Sequence, residues 1–140
     1  MATYNKFNAF VADLDHKVHN LGTSADVLKV MLSNTTPVAT NAVKTDITEI
    51  GAGNGYSAGG TATTITASSQ SSGTFKLVCS NVVFTATGAI GPFEYAVLYN
   101  STAASGNLIG WWDYGSAVTM GNGDTFTVSF DQTNGVFQLA

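Results

Sequence analysis

The residues able to do chemistry are few and scattered. His16 and His19 stand three apart beside Asp13 and Asp15, a spacing that places two imidazoles on one helix face and suits a weak metal site. No other histidine and no cysteine cluster completes it, so a solvated helix face is the plainer reading. The run from Gly51 to Gly55 opens like a phosphate-cradling loop, yet Tyr56 stands where G-x-G-x-x-G needs its third glycine, and no strand-glycine-helix context surrounds it. No G-x-S-x-G elbow presents a serine to a base. Glu94, Asp113, Asp124 and Asp131 are the carboxylates of the second part of the chain, and nothing selects two of them as a hydrolytic pair. Cys79 is the sole cysteine, which rules out an intrachain disulfide and a thiolate metal cluster and suggests a small core residue. The expectation is no catalytic residue, no cofactor and no metal.

One cluster stands apart, Trp111-Trp112-Asp113-Tyr114. Neighbours along a strand point to opposite faces, so one tryptophan fills a core while the other faces outward, as an interface or a sugar platform. Packing of both in the core is the competing reading.

Elements must position these side chains. Phe7, Phe10, Val11, Leu14, Val18 and Leu21 follow helical spacing and predict an amphipathic helix over residues 4–21, capped by Thr3 and ended by Gly22. Val27 to Leu32 reads as a strand, and Asn34 to Pro37 as a turn. Val43 to Ile50 suits either a short helix or a strand. Residues 51–60 carry glycine at five of ten positions and read as an exposed loop or contact arm. Strands are expected at 63–67, 74–79, 82–87, 94–99, 108–114, 125–130 and 136–139, with Phe93, Tyr95, Val97 and Tyr99 on one face of the fourth. Thr125 to Phe130 alternates cleanly, and Asn134-Gly135 signals a tight hairpin. The fold class is mostly β, an antiparallel, jelly-roll-like β-sandwich with one N-terminal amphipathic helix. The 140 residues form a single domain: helix to 22, a strand plus glycine-rich loop over 23–60, and the sandwich over 61–140.

Composition bounds the partners. Charged residues are 10% of the chain, against roughly 25% in ordinary soluble domains. Beyond residue 50 only Lys76 joins the four carboxylates, and there is no arginine. Eight Phe, five Tyr and two Trp supply a core, which separates the chain from disordered sequences. A surface of Thr, Ser, Asn and Gly suits lasting burial against protein neighbours, or a polar secreted β domain. A net charge of −4 without clustered cations argues against nucleic acid. Acids precede any apolar run in the first fifteen residues and no stretch is long enough to span a membrane, so a cytoplasmic site of synthesis is expected.

The opening M-A-x-Y-N-x-F, then LKVML, NGY-x-x-GG, GPFEYAVLYN, LIGWWDYG and a closing DTFTVSFD-x-x-NG-V together resemble a family of short tailed-bacteriophage virion proteins. The resemblance covers nearly the whole chain and brings no catalytic motif. It implies a capsid decoration or cement protein, working as a homodimer or homotrimer on the virion exterior over joints between major capsid protein subunits. The side chains expected to meet a neighbour are then Phe7, Phe10 and Leu14 of the helix, Tyr56 of the loop, and Trp111, Trp112 and Tyr114. The alternatives are a tail- or fibre-associated adhesin or carbohydrate-binding β-sandwich, which would use the aromatic cluster, and a cell-wall hydrolase.

Overall fold

Alternating apolar and polar residues, punctuated by Gly, Asn and Ser, make strands of most of the chain. The computed structural model describes residues 2–140. Its elements are β1 (Asn5–Lys6), helix α1 (Ala9–Asp15), β2 (Leu28–Ser33), a 3-10 turn (Lys44–Asp46), β3 (Thr61–Thr63), β4 (Ile65–Ser71), β5 (Thr74–Cys79), β6 (Val82–Thr85), β7 (Ile90–Asn100), β8 (Leu108–Met120), β9 (Thr125–Val128) and β10 (Phe137–Leu139). The fold is mostly β and antiparallel, with one short helix near the N-terminus. A five-stranded sheet ordered β1-β8-β7-β2-β3 lies against two smaller ones, β10-β5-β4 and β6-β9, in a sandwich-like arrangement. One core joins all three sheets, running from Phe10 through Leu28, Leu77, Phe84 and Leu98 to Phe137. Among the described residues no helix is long and apolar enough to cross a membrane.

The middle of the large sheet is apolar on both faces. On β2 and β7, Leu28, Val30, Leu32, Ala96 and Leu98 enter the main core, while Met31, Val97 and Tyr99 point the other way. There they meet Phe7, Ile47 and Leu108 in a second, smaller cluster. The expected grouping of Phe93 with Val97 and Tyr99 therefore fails. Bulges in the β7–β8 ladder on either side of Phe93 turn that ring to the main core instead.

The long N-terminal helix is also corrected. Residues 5 and 6 add to the sheet edge, Asn5 opposite Trp111 and Lys6 opposite Gly110. The helix has seven residues, begins at Ala9 with Asn8 rather than Thr3 at the cap position, and closes where Lys17 takes a φ of 61° and Val18 N–H reaches Asp13 C=O at 2.9 Å. Helical spacing coincided here with a different requirement. Phe7 belongs to the second cluster and Phe10 to the main core, so the two rings seal opposite faces of one sheet. Seven residues do not hold a helix alone; packing against β8 does.

The stretch left open at 43–50 is a turn between two short pairings. Asp46 Oδ2 accepts from the N–H groups of Ala42 and Val43, while Val43 bridges to Asn107 and Glu49 to Ser33. The glycine-rich segment is no free arm. Gly53 and Tyr56 exchange backbone hydrogen bonds, Tyr56 is buried, and Gly60, at a φ of 73°, rides so close to β2 that a Cβ would land on the Val30 carbonyl oxygen. Asn134-Gly135 is not a hairpin either: β9 pairs with β6 and β10 with β5, so this turn carries the chain between sheets. Asp131 shapes it by accepting from the N–H groups of Thr133 and Asn134, and those bonds hold the exposed carboxyl below its ordinary pKa.

Candidate functional site

The longest strands, β7 and β8, form one hairpin whose ladder breaks beside the aromatic cluster. Tyr95 pairs with Asp113 and Phe93 with Val118, so the four residues Tyr114–Ala117 stand opposite Glu94 alone. Such a bulge bends the strand and re-aims a side chain. Asp113 Oδ1 accepts from Gly115 N–H at 2.7 Å, and Gly115 has a φ of 92°, a left-handed backbone that suits glycine. Tyr114 is thereby lifted from the sheet and is 59% exposed. Its ring meets Phe126 of β9 edge-on at 5.5 Å, and Phe126 meets Phe93 edge-on at 4.9 Å.

Between this blister and β9 lies a groove of about 200 Å³. Phe93, Glu94, Tyr95, Ala96, Trp112 and Tyr114 line one side, with Ala2 nearby; Phe126, Thr127, Val128 and Ser129 line the other. Glu94 is half-buried, and among the described residues no donor or cation of the chain holds its carboxylate: Lys44 pairs with Glu49, and the His19 ring faces Asp13.

The structure divides the expected contact residues into three groups. Trp112 and Tyr114 come together in the groove. Trp111 and Leu14 are half-buried elsewhere: Trp111 turns to the opposite face, 4.5 Å from Phe7, and Leu14 packs against the main core. Neither tryptophan is wholly core or wholly outward, since Trp112 also packs between Tyr4 at 5.5 Å and Phe130 at 5.4 Å. Phe7, Phe10 and Tyr56 are closed to any partner at 0%, 1% and 3% exposure, which corrects the expectation for them. They are buried because the first two seal the sheet faces, while the Tyr56 ring packs on Phe84. Its hydroxyl donates to Glu49 Oε1 at 2.7 Å and accepts from Leu32 N–H at 3.0 Å, and burial pushes its pKa up.

The two histidines separate. His16 is exposed at the helix end, whereas His19 is buried beyond it. Asn100 Oδ1 accepts from the N–H groups of Thr102 and Ala103, so its amide nitrogen donates, to Asp26 Oδ2 at 2.6 Å and to His19 Nδ1 at 3.1 Å. The imidazole proton therefore sits on Nε2, which lies 3.9 Å from Asp13 Oδ2 and has no hydrogen-bond partner among the described residues. Burial lowers the His19 pKa more than Asp13 and Asp26 raise it. Asp113, Asp124 and Asp131 each accept from backbone N–H groups of their own turns. Cys79 is buried, and burial pushes its thiol up to about 12.

Sequence reasoning missed Glu94, Tyr95 and Phe126 as companions of Trp112. Glycine at 115 directly after Asp113-Tyr114 was the available signal: it marks an interruption within β8 rather than its end. Searches against protein-family models, curated proteins and solved structures return no match to the chain.

Proposed function

We propose that the chain is a non-enzymatic structural protein of a tailed-phage virion, which decorates or cements the capsid exterior by binding between major capsid protein subunits, itself as a homodimer or homotrimer. The observation that carries this reading is the near-absence of ionic groups from the β body. Residues 51–140 hold one lysine and four carboxylates, and three of those carboxylates are committed to turns. Much of what faces outward there is hydroxyl and amide, with Thr61, Thr64, Ser69, Gln70, Thr85, Thr87, Thr125 and Ser129 all exposed, alongside the apolar Val83 and Leu139 and the Tyr114 ring. Covering such groups costs far less than covering ions, provided the neighbour returns their hydrogen bonds. Lasting protein contacts combine a patch depleted in charge with a polar rim, and aromatic residues are enriched in them. The sequence resemblance supports the same reading and brings no catalytic motif.

Mass spectrometry of purified virions, with heads and tails separated, tests it. The chain is expected in head fractions, in stoichiometric ratio to the major capsid protein. Its absence from heads ends the proposal, and substrate turnover by the isolated chain would end the non-enzymatic part.

A further inference from the structure

We propose that the groove between the β7–β8 blister and β9 seats one cationic side chain, a lysine or arginine, of a protein neighbour. The occupant's being a protein rests on the function proposed above; the charge of the occupant rests on the groove alone. Five aromatic side chains line it; Phe93 and Tyr95 are buried, and Trp112, Tyr114 and Phe126 keep exposed surface that an arriving group can meet. Aromatic faces carry negative potential and attract a cation held within about 6 Å of the ring centre. Glu94 lies among them, half-buried, with no donor or cation from the described chain. A carboxylate partly withdrawn from water without a partner is costly, and a cation arriving from outside relieves that cost.

Among the described residues no side chain supplies that cation. No lysine lines the groove: Lys44 faces Glu49 and the Tyr99 ring, and Lys76 donates to the Thr133 carbonyl. The chain has no arginine. A sugar fits less well, since its hydroxyls need several placed polar groups in a lining that is mostly aromatic or apolar; beyond Glu94 its side-chain polar groups are the indole N–H of Trp112 and the hydroxyls of Tyr95, Tyr114, Thr127 and Ser129. The Tyr95 hydroxyl is already taken by Thr36 at 2.8 Å. A volume of about 200 Å³ admits one side chain rather than a helix or a strand. Exposed Thr127 and Ser129 add neutral polar groups at its β9 side, part of a rim that shields a central anchor from water.

The two tryptophans make the test internal to the molecule, because Trp112 lines the groove and Trp111 packs on Phe7 across the sheet. The full-length chain, ¹⁵N-labelled, is titrated with N-acetyl-lysine methylamide, N-acetyl-arginine methylamide, the neutral N-acetyl-norleucine methylamide and a methyl pyranoside. The two indole N–H signals are followed by NMR. The cationic probes are expected to move the Trp112 signal saturably and leave Trp111 in place, with the norleucine probe about fivefold weaker or more. Glu94→Gln should weaken the lysine probe by about five- to tenfold, and Glu94→Asp should restore most of the binding should the glutamine variant fold poorly.

Equal binding of the lysine and norleucine probes overturns the proposal, because the groove is then merely apolar. A response to the pyranoside alone overturns it in favour of a sugar site, and no Trp112 response to any probe overturns it outright. A chain that binds the cations yet is missing from virion heads leaves the groove chemistry standing and removes the phage role. A chain present in heads whose Trp112 ignores the cations does the reverse.

Discussion

The two faces of the large sheet are built from the same strands and closed in different ways. One face is covered by other strands, β4, β5, β6, β9 and β10, and its core joins residues far apart in the chain. The other is covered by pieces with little regular structure: Phe7 from the N-terminal segment and Ile47 from the turn after β2, with half-buried Trp111 at the margin. The glycine-rich segment fastens that cover. Tyr99 OH donates to Gly59 C=O at 2.7 Å, and Glu49 Oε1 accepts from both Gly59 N–H and Tyr56 OH. Burial is complete at Leu98 on the first face and at Val97 on the second. Water is excluded as well by a few well-seated loop residues as by a second sheet, but the loop cover depends on individual hydrogen bonds and close backbone approaches.

The largest effect should come from breaking the fastening itself. Gly60→Ala puts a Cβ onto the Val30 carbonyl and strains a left-handed backbone, so a loss of about 4 kcal/mol or more is expected in chemical denaturation. A loss under about 1 kcal/mol would mean that the segment is not seated on β2. Leu98→Ala and Val97→Ala then compare the faces directly, since the residues are adjacent and both fully buried. Leu98→Ala should cost about 3 kcal/mol and Val97→Ala about 2 kcal/mol. If Val97→Ala costs less than about 0.5 kcal/mol, the second face is open in solution.

Glu49→Ala removes the acceptor shared by Tyr56 and Gly59 and the partner of Lys44. About 1–2 kcal/mol should be lost, with faster amide exchange through residues 53–60 and little change in β5. Uniform exchange across both regions would show that the cover is not a separate unit.

The smallest effect is a dependence on pH at the end of the strand-covered core, where His19 packs. Its folded pKa lies below the ordinary 6.5, so the unfolded chain takes up the proton first. The stabilisation is present above about pH 6.5 and declines as the pH falls from there through the folded pKa. Protonation also puts a hydrogen on Nδ1, where Asn100 already donates. Denaturation midpoints measured at about pH 7.5 and about pH 5.5 should therefore differ more for the natural chain than for His19→Gln. An unchanged difference would assign the slope to other groups.

Much of the sheet was legible because β-branched and aromatic residues alternate along it. β5 was expected at the residues where it forms, 74–79, and β2 and β8 begin within one residue of expectation. The helix was not legible beyond its centre. Phe7 and Phe10 satisfy helical spacing, yet no periodicity tells a face that meets one core from a turn that sends two rings to opposite sides of a sheet. The same ambiguity placed Phe7, Phe10 and Tyr56 among contact residues: a large apolar side chain reads alike whether it fills the core or meets a partner. Of the groove, Trp112 and Tyr114 were visible as an aromatic cluster. Glu94 and Phe126 were not, because the extra residues of β8 at Tyr114–Ala117 shift every later register and decide which side chains share a space.

Local sequence thus determined the strand segments, the shortage of charge in the β body and the aromatic cluster of β8, all properties of neighbours along the chain. Tertiary structure alone decided which strands pair, that both faces of the large sheet are sealed, and that a carboxylate stands among five aromatic side chains. The physical reason is that pairing register and bulge position follow from burying all the apolar surface at once. That condition ranges over the whole chain and leaves no mark on any short stretch of it.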